Sequence, residues 1–416
     1  MAQRFRISSA FRESPIGFGT SLNHFDADII VIGAGPAGSA AAIAAARAGT
    51  SVMLLDRQAF PRDKPCGDLI GARAMRLARG LGIDERDLER WNRLNGVLVT
   101  ADSGHLPLRP HTVVGRMALS RTDARIVPRT IFDDAMRRTA LRAGATFQQA
   151  HVRTVSPWDG EGRSINAQID GKLVTFRAPV TIVAGGYGCR VTGDLMALPA
   201  ARETERPRGI AMRGYFSNVT APAREIVFSL DSWVLPGYGW LFPLPDGRAN
   251  VGIGTLVHPD ESRSEHLHTL YQRYVNDPAS PIASWMHAAT PDAPPRTWPL
   301  DLGPRARRVA ADGLLVAGES AALVGPMTGA GIAFALESGQ QAGRTAAAAV
   351  KGDDPSQASL DEYATWVQRH PLAWLRAESR AHWLVSDHAR LARTIALTRP
   401  LPFTPTLGAR FLLHLG

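Results

Sequence analysis

The first strong hydrophobic pattern in the chain is Ile29, Ile30, Val31 and Ile32, four apolar positions in a row without alternation, which predicts a strand buried on both faces. A Gly-Ala-Gly-Pro-Ala-Gly turn occupies 33–38, a run of small residues predicts a closely packed helix to about Arg47, and a second apolar strand runs from Val52 to Asp56. Strand, glycine turn, helix and acid-ended strand in this order form a βαβ unit of the dinucleotide-binding kind. Gly33 allows the tight turn, Gly35 lets the backbone approach a pyrophosphate, and Gly38 lets the helix sit against the sheet. Pro36 and Ala37 open the helix, whose free N–H groups and dipole favour phosphate. Asp56 is placed to accept hydrogen bonds from ribose hydroxyls, and Arg57 follows it.

Beyond this unit the periodicity predicts a helix from Ala72 to Gly82, strand-like residues around Gly96 to Thr100, and a helix from about Thr130 to Ala143, stopped by Gly144. From Thr146 to Ala184 the pattern is one of short strands and turns, a meander leading back into a parallel sheet; Val152, on one of these strands, is assigned to the cofactor site. Residues 191–300 are strand-like and rich in proline, which predicts an inserted antiparallel substrate domain. A second strand, turn and helix follows at Gly313 to Ala342. The expected architecture is α/β. A Rossmann-like domain is formed by 27–190 and 301–350, the substrate domain by 191–300 and a helical region by 351–416, after a leader, 1–26, that reads as disordered.

Composition narrows the function without naming it. The 416 residues carry a net charge of +9, yet lysine occurs only at 64, 172 and 351, and the arginines are scattered among acids rather than clustered, so nucleic-acid binding is not expected. Two cysteines far apart suit a reducing cytoplasm, and neither HExxH nor CxxC is present to suggest a metal. No apolar run is long enough to span a bilayer. Arg121, Arg125 and Arg137 read as solvated charges.

Four segments in order, the glycine-turn unit, FPRDKPCGD at 60–68, GYGWLFP at 237–243 and GLLVAGESAALVGPMTGAGI at 313–332, resemble the geranylgeranyl reductase family. That family lies within the FAD-dependent oxidoreductases that also hold aromatic hydroxylases and flavin-dependent halogenases. The resemblance implies FAD as cofactor on a fold of the glutathione reductase or aromatic hydroxylase type. It places Cys66 and Gly67 beside the flavin ring, and Arg129 at the ribityl or phosphate part. Gly318 and Glu319 stand at a Gly-Asp motif whose acid bonds the ribityl chain, with glutamate here in place of aspartate. Pro326, Gly329, Gly331 and Ile332 match the turn and helix start at the flavin's pyrimidine edge. At Ala184 to Arg190 the hydroxylases' Asp-Gly motif is altered, with Gly186 in place of the acid.

Tyr238, Trp240 and Phe242 alternate on a strand and so share one face, suited to an apolar substrate against a flat ring. Cys66, Tyr238 and Trp240 are the candidate catalytic residues. The resemblance implies flavin-hydride reduction of a C=C bond in a prenyl or other secondary-metabolite substrate. FAD-dependent hydroxylation or epoxidation, and non-catalytic prenyl-lipid binding, are alternatives on the same scaffold. With one dinucleotide fingerprint, NAD(P)H or another donor must act transiently. The Trp- and Arg-bearing C-terminal part either packs as a helix pair or rests on a membrane or carrier.

Overall fold

The computed structural model describes residues 25–91, 93–101, 112–118, 122–191, 208–257, 263–305 and 307–384, with a few positions beyond. The leader through residue 24, Arg121, and the C-terminal Phe403, Phe411 and Leu412 lie outside the described residues.

A six-stranded sheet is centred on Ile29–Ile32, paired in parallel with Val52–Asp56 on one side and Val180–Val183 on the other. Thr146–Gln149 extends one edge in parallel, and Leu314–Val316 extends the other. Ala310–Ala311 adds a short antiparallel edge strand. All four side chains of Ile29–Ile32 are buried, as an unalternating strand between two helical layers must be. The Pro36–Arg47 helix packs against the Ile332–Lys351 helix with almost no side chain between them. A Cβ at Gly339 would lie 2.0 Å from the Ala37 carbonyl oxygen, and one at Gly343 would lie 2.3 Å from that of Ala41. The small-residue helix therefore brings the 33–38 turn and the start of the Ile332–Lys351 helix to one edge of the sheet.

The meander appears as a three-stranded antiparallel sheet of His151–Val155, Arg163–Ile169 and Lys172–Ala178, while Thr146–Gln149, at the start of the stretch, belongs to the parallel sheet. The second large sheet has eight strands, and two of them, Gly96–Ala101 and Thr112–Ala118, come from the stretch assigned by sequence to the nucleotide-binding domain. Gly96–Ala101 pairs in parallel with Glu225–Ser229, so this sheet is not wholly antiparallel. Such a pair joins segments over a hundred residues apart, which no local pattern reveals.

Along Tyr238–Leu244 the pleat divides the side chains. Leu241 joins an outer core with Leu267, Tyr271 and Tyr274 of the Arg263–Asn276 helix, whereas Trp240 and Phe242 join the core shared with the parallel sheet. Two arginines read as solvated are otherwise engaged. Arg125 is buried and donates to the Leu88 carbonyl at 2.6 Å, and Arg137 pairs with Asp134 while lying over the Phe60 and Phe147 rings. Gln357–Arg369 and Pro371–Trp383 are successive helices, and most of the chain after residue 384, where the expected C-terminal helix pair would continue, lies outside the described residues.

Candidate active site

Between the parallel sheet and the inner face of the eight-stranded sheet lies a cavity of about 640 Å³. Gly33, Gly35, Pro36, Ala37, Asp56, Arg57 and Val152 line one end, and Cys66, Gly67, Arg129, Glu319, Pro326, Gly329, Gly331 and Ile332 line its middle. Tyr238 and Trp240 complete the far wall with Ile210, Thr255, Trp298, Leu300 and Met327. Three sequence-assigned residues do not reach it. A Cβ at Gly38 would lie 1.7 Å from the Gly33 carbonyl oxygen, and one at Gly318 would lie 2.8 Å from the Ala37 Cβ, so both serve close packing. Phe242 shares the face of Trp240 but lies deeper, behind Gly67 and edge-on to Phe228 at 5.3 Å.

At the nucleotide end, Gly33 has φ +100°, and a Cβ there would lie 2.4 Å from the Ala184 carbonyl oxygen. The Asp56 carboxylate accepts from the Ala34 N–H at 2.8 Å and the Gln58 N–H at 2.9 Å, which pins it at the strand end with lone pairs to spare. The cation over the glycine turn is Arg62, missed by sequence reasoning. Its Nη2 would lie 3.2 Å from a Cβ on Gly35, and its Nη1 is 3.1 Å from Asp133. Arg129 lines the cavity, but its Nε and Nη2 are both spent on Asp133, each at 2.7 Å. Burial pulls the Arg129 guanidinium down, and Asp133 and the Cys66 thiol more than offset this, so it stays charged.

The wall around Cys66 is organised by Asn250. Its Nδ2 donates to the Cys66 carbonyl at 2.7 Å and to Asp68 Oδ2 at 2.8 Å, while its Oδ1 accepts from Trp240 Nε1 at 3.0 Å. Asp68 also accepts from the Tyr215 hydroxyl at 2.6 Å and the Arg129 N–H at 3.3 Å. Burial pushes the Asp68 carboxyl up to about 6, against the pull of Tyr215 and Asn250. Burial likewise raises the Tyr238 hydroxyl, which donates to the Thr328 carbonyl. Lys64 Nζ lies 2.5 Å from Glu319 Oε2 and 5.7 Å over the Trp298 ring. The Gly186 N–H donates to the Ser320 hydroxyl at 2.9 Å, so the altered Ala184 to Arg190 stretch is tied to the second cofactor segment. Asn250 sat in a recognised segment without a role, and Lys64 in another; no spacing rule pointed to either partner.

A model of the FAD binding domain matches residues 26–222. The menaquinone reductase of Mycolicibacterium smegmatis is 33% identical over 76% of this chain and 75% of its own length. A digeranylgeranylglycerophospholipid reductase of Methanopyrus kandleri is 30% identical over 81% of each chain. The chain belongs to the geranylgeranyl reductase family of FAD-dependent oxidoreductases. Among solved structures, a geranylgeranyl bacteriochlorophyll reductase-like protein from Thermoplasma acidophilum superposes with a TM-score of 0.75 at 21% identity, covering 89% of both chains. A flavin-dependent brominase gives 0.71 at 19% identity over 93% of each, which speaks for the fold that reductases of this family share with halogenases.

The residues present fit the family's cofactor. Glu319 Oε1 is buried in the cavity wall without a partner among the described residues, an acceptor suited to a ribityl hydroxyl. The glycine turn leaves its surface open to a pyrophosphate, under Arg62. Pro326 to Ile332 end in the start of the Ile332–Lys351 helix, where unpaired N–H groups favour negative charge.

Proposed function

We propose that this protein is an FAD-dependent reductase that saturates a C=C bond of an apolar small molecule. The double bond sits between the Cys66 loop and the Tyr238 and Trp240 wall. One observation carries the reading: the glycine turn, the Pro326 to Ile332 segment and the aromatic wall all line a single cavity. Relatives named for a menaquinone and for a geranylgeranyl lipid support an apolar substrate.

When bound, the flavin supplies a hydride to one carbon of the double bond. Pro326, Gly329, Gly331 and Ile332 would hold its pyrimidine edge, Glu319 its ribityl chain, and Gly33, Gly35, Asp56 and Arg62 its nucleotide end. Tyr238 and Trp240 orient the substrate and exclude water. Their polar atoms are committed to the Thr328 carbonyl and to Asn250 Oδ1, so neither gives up a proton readily. Cys66, on the same lining with its thiol beside the buried Arg129 guanidinium, is the side chain through which a proton reaches the other carbon. NAD(P)H or another donor would supply the electrons by transient contact. Among the described residues no helix is long and apolar enough to cross a membrane. The exposed Trp383, on the helix that abuts Pro236 at the cavity rim, supports peripheral contact with the lipid surface that holds such a substrate.

The test is anaerobic reduction of the purified flavoprotein, followed by mixing with O2 and, separately, with polyprenyl substrates. Saturated product free of label from isotopic O2 is expected. Labelled, oxygenated product would replace the reductase with a monooxygenase.

A further inference from the structure

The Pro371–Trp383 helix lies outside the matched FAD-binding region, yet one of its side chains reaches the cofactor segment. Glu378 is fully buried, and its Oε1 accepts from the Met327 N–H at 3.2 Å, the Thr328 N–H at 3.0 Å and the Thr328 hydroxyl at 2.8 Å. Gly325 leaves room for it, since a Cβ there would lie 2.5 Å from the same oxygen. Thr328 is thus held at its N–H and hydroxyl by Glu378 and at its carbonyl by Tyr238. The other oxygen, Oε2, is buried with no partner among the described residues, and no cation offsets the carboxylate. Burial pushes the Glu378 carboxyl up, against the pull of Thr328 and Met327; three donors converge on it and nothing accepts a proton from it, a geometry that favours the ionised carboxylate in alkaline solution. Its charge is felt at Tyr238, whose hydroxyl it helps to raise.

On the reading that Pro326 to Ile332 hold the flavin, we infer that Glu378 is a positioning residue whose buried charge, set behind that segment, lowers the reduction potential of the flavin. Two-electron reduction adds negative charge to the ring. An uncompensated anion one hydrogen bond behind the cavity lining opposes this more strongly than it would in water, because little solvent screens it. A flavin made harder to reduce is a stronger hydride donor, as an apolar alkene requires. His382, one turn on, lies 3.0 Å from the Pro236 carbonyl, so the same helix spans both rims of the cavity and keeps this charge at a set depth.

Anaerobic redox titration of the flavin-loaded protein at pH 8 tests the inference. Glu378→Gln should favour the reduced flavin at least tenfold, a rise of about 30 mV for a two-electron couple. Glu378→Asp, which keeps the charge, should stay closer to the unsubstituted protein than Gln does. Thr328→Val removes a donor while the carboxylate remains and should move the potential the opposite way. It reads the same charge if the Gln variant does not fold, and mere loosening of the segment does not predict opposite signs. Flavin-loaded Gln and Val variants with unchanged potential, or an Asp variant shifted as far as Gln, would overturn the inference. An unsubstituted protein that holds no flavin would instead overturn the functional reading beneath it.

Discussion

Lys64 and Glu319 stand 255 positions apart in the chain and meet at 2.5 Å in the cavity wall, joining the Cys66 loop to the second cofactor segment. Both side chains are largely buried, so the pair is screened less than a surface ion pair and each partner depends on the other. Glu319→Gln should weaken FAD binding by about 1.5–3 kcal/mol, a factor of roughly 10 to 150, as expected for hydrogen bonds to charged groups. Lys64→Met in the same chain should recover part of that loss, because it removes the stranded cation. Flavin fluorescence titration of the single and double variants checks both; a double-variant loss equal to the sum of the two single losses would show that the pair has no coupling.

Asn250 makes three hydrogen bonds that no other side chain replaces. Asn250→Leu should destabilise the protein by about 3 kcal/mol, since it strands the Trp240 N–H, the Cys66 carbonyl and one Asp68 interaction in a buried place. Because Trp240 then loses its anchor, KM for the apolar substrate should rise more than kcat falls. Denaturant unfolding and steady-state kinetics measure the two effects.

Gly67 sits against the aromatic wall, where a Cβ would lie 2.9 Å from Phe242 Cε2 and 3.4 Å from Trp240 Nε1. Gly67→Ala should cost about 1–3 kcal/mol, as overpacked core positions do. Phe242 must move, and Trp240 with it, so reduction of the substrate should slow even where flavin binding is retained. Flavin content near one per chain with diminished turnover is the expected outcome; unaltered turnover would mean that the wall yields without consequence.

Asp68 carries a pH dependence with a definite sign. Its folded value of about 6 lies above the ordinary 3.8, so the folded chain binds the proton more tightly than the unfolded chain. The stability it confers is present below 3.8, falls as pH rises through the window to about 6, and is flat above, a change of about 3 kcal/mol. Asp133, held low by Arg129 and Arg62 despite its burial, acts in the opposite sense at lower pH. The comparison therefore belongs between the unsubstituted protein and Asp68→Asn: the melting-temperature difference between the two should change across pH 4 to 7 and be constant above pH 7.

Much of the site was legible before any coordinates. The unalternating Ile29 to Ile32 strand, the glycines after it and the small-residue helix are local signals, set by φ/ψ limits and by how close two backbones may come. The shared face of Tyr238, Trp240 and Phe242 is equally local, a consequence of the two-residue period of a strand. Depth along that face is not local, and Phe242 went behind Gly67 because of what packs on it from another segment.

Arg62, Asn250, Lys64 and Glu378 were missed for a common reason. Each is a polar residue whose role is defined by a partner brought near by chain crossings, and a lone polar residue in a sequence resembles a solvated one. Arg125 illustrates the error, since it reads as a surface charge and is buried on the Leu88 carbonyl.

The sequence by itself determined that this chain builds a βαβ unit with a glycine turn and a second strand, turn and helix near its C-terminal side, because glycine turns and buried strands are dictated by steric rules acting over a few residues. Only the tertiary structure decided which charges face the cavity. It paired Lys64 with Glu319, hung Cys66 and Trp240 on Asn250, and set Glu378 behind the Pro326 to Ile332 segment from a helix near the far end of the chain. Electrostatic partners are chosen by distance in space, and distance in space is what a one-dimensional pattern does not contain.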